Sequence, residues 1–265
     1  MDRLSTGIDG LDELIQGGLI SGSSTLLYGP PGNGKHPFCL QFIAEGLKVG
    51  DGGIMLVSNE SVQDAIESFG EVGCSLDTTV LDQKYDLKFV DCYSWRIEEV
   101  PYPKLYGNVV KSSMDINHVS LAIGTAVDQM KAGKRIRVTV DLFSPLLMVA
   151  PPQAVYRLGE LLTAELKKKG ATSIFMLTEG MHDQQTITSL QQLIDNVVLF
   201  RNSEKEGVLI KEVCVSKMKR TVFESRWLPI FRDTKTGGLR IAQESQKTDL
   251  FSSGERYLKT GRLST

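Results

Sequence analysis

Cysteine is scarce in this chain. The four present (Cys39, Cys74, Cys92 and Cys214) are far apart, and no pair has metal-ligand or redox spacing. A disulfide scaffold and a zinc framework are thereby excluded, and reduced, buried thiols are expected. An excess of one charge is also lacking: 30 Lys and Arg against 32 Asp and Glu leave −2. Nothing announces an electrostatic footprint for nucleic acid or an anionic membrane. His118 and His182 have no partners at ligand spacing, so neither is given a role. No apolar run is long enough to span a bilayer, and Met1-Asp2-Arg3-Leu4-Ser5 lacks the basic and apolar regions of a signal peptide. A cytoplasmic protein is the expectation. Internal repeats are absent too, which leaves one copy of one domain.

The remainder has the make-up of a soluble globular protein. Its 265 residues fit one α/β domain with a substantial core. Short apolar runs of buried-strand length lie at residues 23–28, 54–57, 87–90, 136–140 and 173–177, with helical patterns at 61–72, 115–131 and 152–169. Such alternation predicts an α/β fold with a mostly parallel sheet and helices on both faces. After Asn196 the rhythm changes to strands with short turns, at residues 209–219, 227–231 and 239–241. These predict a C-terminal antiparallel extension of the same sheet. The nucleotide-binding domain is expected to span residues 1–242, followed by a polar tail at 243–265. Residues 94–114, with Trp95, Pro101, Tyr102, Pro103, Tyr106 and Gly107, read as a long loop of functional or merely surface character.

The most informative segment is Gly29-Pro30-Pro31-Gly32-Asn33-Gly34-Lys35-His36-Pro37. A phosphate-binding loop reads Gly, four residues, Gly-Lys, then Ser or Thr, between a strand and a helix. Glycines let successive amides converge on an anion, the helix after the loop turns its positive end toward it, and Lys35 supplies a mobile charge. Gly29, Pro30, Gly32, Asn33, Gly34, Lys35 and His36 are therefore the candidate nucleotide contacts. Two positions depart from the pattern. His36 replaces the hydroxyl that would bind Mg²⁺, and imidazole is a poor substitute for a hard oxygen ligand. Pro37 has no N–H, and losing one hydrogen bond to a charged group costs roughly 1.5–3 kcal/mol, about one to two decades of affinity. A nucleotide is thus expected as the ligand, with Mg²⁺ held weakly; the choice of ATP is left to the resemblance given below.

Other candidates stand at strand ends, where open α/β sheets bind ligands. Asp141 ends the run 136–140, where phosphate-binding proteins place the acid that orders Mg²⁺. Capping the next segment is the alternative. Glu60 comes after the strand ending near Val57; it either orients water as a general base or sits in the first turn of a helix beginning near Ser61. Thr178 and Glu179 come after the strand 173–177, where a γ-phosphate would be sensed. Lys217, Lys219 and Arg220 cluster at another strand end, a pattern that also fits a solvated charge run. Lys167-Lys168-Lys169 is read as a solvated helix C-terminus that complements the dipole.

Together these residues resemble the KaiC-like branch of the RecA superfamily of ATPases, common in archaea and in cyanobacterial clock proteins, and the likeness is to the single-domain archaeal type. The likeness covers roughly residues 3–233. It rests on Leu4 to Leu14 (LSTGIDGLDEL), Gly17-Gly18, Gly29-Pro30-Pro31-Gly32, Val138 to Leu146, Leu177-Thr178-Glu179, Asp195 to Leu199 and Lys217 to Thr221. The resemblance implies a RecA-like ATPase core, often assembled as a ring with nucleotide between subunits. It implies Lys35 as the loop lysine and Asp141 as the magnesium-ordering acid. Glu60 matches the first of a catalytic glutamate pair, with Ser61 in place of the second. The family's Lys-x-Arg-Gly pattern reaches a neighbour's γ-phosphate; Lys217 and Lys219 match its cations, and Arg220 replaces its glycine.

These residues support three readings: a weak or slow ATPase that changes assembly with nucleotide state, a non-hydrolysing nucleotide-sensing or structural subunit, and a recombinase-type DNA-binding protein. The net charge counts against the last. A homo-oligomeric ring such as a hexamer, or a complex with other proteins, is expected, without nucleic acid or membrane as partner.

Overall fold

Runs that are apolar at every position cannot belong to strands with one wet face, and here they form strands covered on both sides. The computed structural model describes residues 1–77, 81–205 and 207–242. Strand β1 (Arg3–Leu4), helix α1 (Leu11–Leu14) and β2 (Leu19–Ile20) open the chain, before β3 (Ser24–Gly29), α2 (Lys35–Lys48), β4 (Gly52–Val57) and α3 (Val62–Ser68). The middle comprises α4 (Leu81–Lys84), β5 (Leu87–Asp91), β6 (Lys104–Tyr106), β7 (Val109–Lys111), α5 (Ile116–Asp128), β8 (Ile136–Val140), α6 (Phe143–Leu147) and α7 (Pro152–Lys168). The last part holds β9 (Thr172–Thr178), α8 (Gln184–Leu193), β10 (Asn196–Lys205), β11 (Val208–Lys217), β12 (Leu228–Arg232) and β13 (Leu239–Ile241).

Strands β3 to β13 form one sheet in the order β13-β12-β11-β10-β3-β9-β8-β4-β5-β7-β6. From β10 to β7 every neighbouring pair is parallel, while β11, β12 and β13 add antiparallel strands at one edge and β6 one at the other. This is the α/β fold with an antiparallel C-terminal extension that the hydrophobic rhythm predicts. One expectation is corrected: residues 94–114 are not a bare loop. They hold a short 3₁₀ turn at Ser94–Arg96 and the β6–β7 hairpin, whose three-residue strands are too short for period-two patterning to reveal. The polar segment 243–265 lies outside the described residues.

Side-chain parity divides the core. Leu27, Met55, Val57, Ile174 and Met176 face α2 and the N-terminal segment, whereas Leu26, Ile54, Leu56, Phe175 and Leu177 face α5, α6, α7 and α8. Helix α7 buries Val155, Leu158, Leu162 and Leu166, a stripe at helical spacing, and begins with Pro152 in its first turn, where a missing N–H costs nothing. Each fully buried aliphatic or aromatic side chain contributes about 1.5–3 kcal/mol. Among the described cysteines none is bridged; Cys39, Cys92 and Cys214 are buried and Cys74 is half-buried.

The LSTGIDGLDEL opening is a structural clasp. The Asp12 carboxylate accepts hydrogen bonds from Ser5 Oγ (2.7 Å), Thr6 N (2.9 Å) and Thr6 Oγ1 (2.7 Å). Gln41 on α2 donates to the Gly7 and Leu239 carbonyls and accepts from Leu239 N, so one amide ties both ends of the domain to α2. At the amino ends of the strands the fully buried Arg137 completes the frame. Its Nε donates to Asp51 Oδ2 (2.9 Å), its Nη1 to the Ser5 (2.6 Å) and Phe42 (3.0 Å) carbonyls, and its guanidinium lies over the Phe42 ring. Asp51 also receives Arg135 Nε at 2.8 Å.

That guanidinium needs Gly46, since a Cβ there would overlap Arg137 Cδ and Nε. Ala in place of Gly in a helix interior ordinarily gains about 0.5–1 kcal/mol. Overlap with a buried, fully bonded guanidinium reverses the sign, with a net loss of about 1–3 kcal/mol for Gly46→Ala. Urea unfolding of the two proteins checks this, and a more stable variant would contradict the assigned packing.

Candidate functional site

The candidate residues converge where β3, β9, β8 and β4, adjacent in the sheet, end on the same side. Gly29 is the last residue of β3. A side chain there would overlap the Phe200 carbonyl and Asn33 Nδ2, so only glycine lets the loop leave the strand this close to β10. Gly32 and Gly34 hold φ of 72° and 110°, left-handed conformations that turn the chain back into α2, whose N-cap is Gly34. Pro37 falls in the first turn of α2, where proline is tolerated.

Lys35 is buried beneath this loop. Its Nζ donates to the carbonyls of Gly29 (2.6 Å) and Pro30 (2.7 Å) and approaches Asn33 Oδ1 at 3.4 Å. Burial lowers its pKa to about 8, against the opposing pull of Asp141, Cys39 and Glu179. Two further nitrogens at the loop, Asn33 Nδ2 and His36 Nε2, are buried with no hydrogen-bond partner among the described residues. A buried ammonium and two unpartnered buried nitrogens thus lie at a loop of left-handed glycines at a helix N-terminus, an arrangement that suits a phosphate chain.

Acids stand beside the loop. The Asp141 carboxylate accepts from Asn59 Nδ2 at 2.8 Å, and its backbone carbonyl accepts from Ser58 Oγ. It does not cap the next helix, because α6 begins at Phe143 behind Leu142 with no side-chain cap. Burial raises its pKa, opposed by Asn59, His36 and Lys35. Glu60 is not in the first turn of a helix either. Ser61 is the N-cap of α3, in a reciprocal box with Asp64, and Glu60 stands just outside it. Its Oε1 is 3.4 Å from His36 Nε2, without hydrogen-bond geometry. Burial raises the Glu60 pKa too, and His36 pulls against that rise. Thr178 is held by its N–H on Ser144 Oγ (2.8 Å), and the Glu179 N–H donates to the Gly29 carbonyl (2.9 Å), tying the end of β9 to the loop.

Lys217 and Lys219 are elsewhere. Lys217 Nζ donates to the carbonyls of Gln191 (3.1 Å), Gln192 (3.2 Å) and Ile194 (2.5 Å), satisfying the C-terminal end of α8. Lys219 Nζ is paired with Asp195 Oδ1 at 2.7 Å. Both lie at the amino ends of the parallel strands, away from Lys35. Arg220, the next residue, has φ 51°. The left-handed region costs a residue with a Cβ roughly 1–2 kcal/mol, so this is a glycine-favouring position occupied by arginine. Two contributors give no sign in the sequence. Asn59 is a lone polar residue after a strand, and Lys211, whose Nζ donates to the Gly32 carbonyl at 2.7 Å, reaches the loop only through the β10–β11 register.

Known proteins bear on this geometry directly. The sequence model of the KaiC ATPase family matches residues 4–246. The chain belongs to the KaiC family of ATPases. A UPF0273 protein of Methanopyrus kandleri is 29% identical over 251 residues, covering 92% of this chain and 93% of that protein. A UPF0273 protein of Saccharolobus solfataricus is 26% identical over 272 residues, covering 100% and 87%. The circadian clock oscillator protein KaiC of Prochlorococcus marinus is 28% identical over 263 residues, 95% of this chain but 50% of that protein. The fold is shared with the crystal structure of a KaiC-like protein from Pyrococcus horikoshii, at TM-score 0.71 and 20% identity over 91% of this chain and 99% of that one. Membership of the KaiC ATPase family implies nucleotide binding. No helix among the described residues is long and apolar enough to cross a membrane.

A phosphate chain favours the ammonium form of Lys35, whereas the unliganded lysine loses its proton as pH rises through about 8. Nucleotide binding above that pH must therefore take up a proton, and affinity falls by up to about tenfold per pH unit. Calorimetry in buffers of different ionisation enthalpy is expected to detect proton uptake at pH 9 and far less at pH 7. Lys35→Arg, whose charge does not titrate, should flatten the slope.

Proposed function

We propose that this KaiC-family chain is an ATP-binding switch, cutting its nucleotide slowly and changing its assembly with nucleotide state. The observation that carries the reading is the Lys35 ammonium lodged on the Gly29 and Pro30 carbonyls, beside the unpartnered Asn33 and His36 nitrogens. A polyphosphate answers all three donors at once. In this reading the loop amides, Asn33 and Lys35 hold the β- and γ-phosphates, Thr178 lies where the γ-phosphate is sensed, and Glu60 orients water as general base. Lys217 and Lys219 supply positive charge at the end of the chain that a neighbouring subunit would meet.

The Mg²⁺ that such folds pair with their loop does not fit the residues here. Its hydroxyl ligand is replaced by imidazole, which stands against Glu60 at 3.4 Å, and the acid that would order its water shell, Asp141, is engaged by Asn59. The same contact supports a second reading, in which the chain senses nucleotide without cutting it. A carboxylate oxygen with an imidazole 3.4 Å away has less room to hold the attacking water. Both readings give binding without brisk turnover; the recombinase reading has no such support.

Calorimetry and phosphate release, with and without Mg²⁺, on wild type and His36→Thr separate these readings. Wild type is expected to bind ATP with an affinity that Mg²⁺ changes by less than about tenfold, and to turn over slowly. The variant should gain Mg²⁺ dependence and at least about tenfold in rate, a barrier change of about 1.4 kcal/mol. Fast wild-type hydrolysis would overturn the role given to His36, a variant as slow as wild type would favour the non-hydrolysing reading, and no binding at millimolar ATP would remove the site altogether.

A further inference from the structure

Helices α5 and α7 lie side by side on the face of the sheet opposite α2. They run in the same direction: Ile116 and Pro151, at their amino ends, line the groove between them, and beyond their carboxyl ends Lys169 reaches Asp128 at 2.7 Å. That groove is open and holds about 770 Å³. Leu121 and Leu161 line it with 56% and 45% of their surfaces exposed, although the other leucines and valines of both helices are buried. Gly124 forms part of the same lining. A Cβ there would meet nothing within 4 Å, so no contact inside the chain calls for glycine, the poorest helix former after proline.

The charges come from α7. Arg157 and Glu165 line the groove four residues on either side of Leu161, about 6 Å along the axis in each direction. Both are exposed, and among the described residues neither side chain has a hydrogen bond or an ion pair. Positions four apart form one ridge of a helix, so α7 presents a row that reads cation, leucine, anion. Turned end for end, this row is its own complement. Leu161 then meets Leu161, and Arg157 meets Glu165 on both sides of it. A two-fold axis through Leu161 produces this match, and only an identical chain supplies it in full.

We propose that the α5–α7 groove is a docking surface for a second copy of this chain, with α7 of each copy lying along the groove of the other. Two such ridges packed together set their helices at about 50°, a common crossing in globular proteins. The partner's α7 covers Leu121 and fills the space over Gly124, while the two Arg157–Glu165 pairs close the rim. An apolar middle with charges at its edge suits a helix; a small molecule needs polar groups converging around it inside a pocket. No residue of the phosphate loop lines the groove, so the contact needs no nucleotide and does not rest on the ATP-binding reading.

Sedimentation velocity without nucleotide, over a range of protein concentrations, tests the pairing. Wild type should dimerise. Arg157→Glu and Glu165→Arg each set like charges opposite one another twice per dimer, and each should need at least about tenfold more protein to pair. The double variant Arg157→Glu/Glu165→Arg restores the row in reverse and should pair like wild type. Mixed together, the two single variants should pair with each other, since one then carries two carboxylates in the row and the other two guanidiniums. Gly124→Leu should pair poorly as well, while unfolding at no lower a urea concentration than wild type. A residue that only stabilised its own helix would show neither the reversal nor the rescue on mixing. A wild type that stays monomeric would overturn the inference, as would a double variant that pairs no better than the single ones. A larger species whose size none of these substitutions changes would overturn it too.

Discussion

One buried ammonium organises the working end of this molecule. Lys35 rests on two carbonyls of the loop that it closes, and those carbonyls point inward only because Gly29 can pass under the Phe200 backbone and Gly32 and Gly34 can take left-handed turns. The loop is held from three sides: β9 through the Glu179 N–H on Gly29, β11 through Lys211 on Gly32, and α2 through its own first turn. Strand β3 in turn is gripped by parallel neighbours along its whole length. Loop geometry is thus a consequence of sheet geometry, and a shift of β3 by one residue would move the ammonium off its carbonyls.

The electrostatics of this end are those of a site that resists charge until an anion arrives. Burial lowers the pKa of Lys35 and raises those of Asp141 and Glu60, so each of the three is pushed toward its neutral form. A hydrated dication would relieve the two acids, but the imidazole of His36 stands against one and the Asn59 amide holds the other. What remains attractive is a ligand that brings negative charge to the lysine and accepts hydrogen bonds from Asn33 and His36. A phosphate chain answers that description.

Much of this is legible in the sequence where the signal is local. Near-continuous apolar runs mark the parallel strands, because strands buried on both faces carry few polar positions. The spacing from Gly29 to Lys35 marks the loop, because the conformations it requires are open to few residues. Asp141 and Glu60 can be set at strand ends from the chain alone, but their surroundings cannot: which amide holds Asp141, and which imidazole stands beside Glu60, depend on how the strand ends lie beside one another in the sheet. The same limit hides Lys211, brought to Gly32 by the register of a hairpin, and the β6–β7 hairpin, whose strands are shorter than any period. Lys217 and Lys219 show it most clearly. Their motif can be read from the chain, but their partners on α8 and Asp195 come from elements more than twenty residues earlier.

The separation of the two charged ends has a consequence for any slow ATPase built on this frame. Coupling between two ligands is reciprocal, so a neighbour that binds better when nucleotide is present must tighten that nucleotide by the same factor. In a site that cuts quickly such tightening is short-lived, because the γ-phosphate is soon lost. In the slow site proposed above it lasts as long as the nucleotide does. Slow cutting and nucleotide-linked assembly, both parts of that reading, are then complementary. The first would set how long an assembled state persists, and the second would let assembly report nucleotide occupancy.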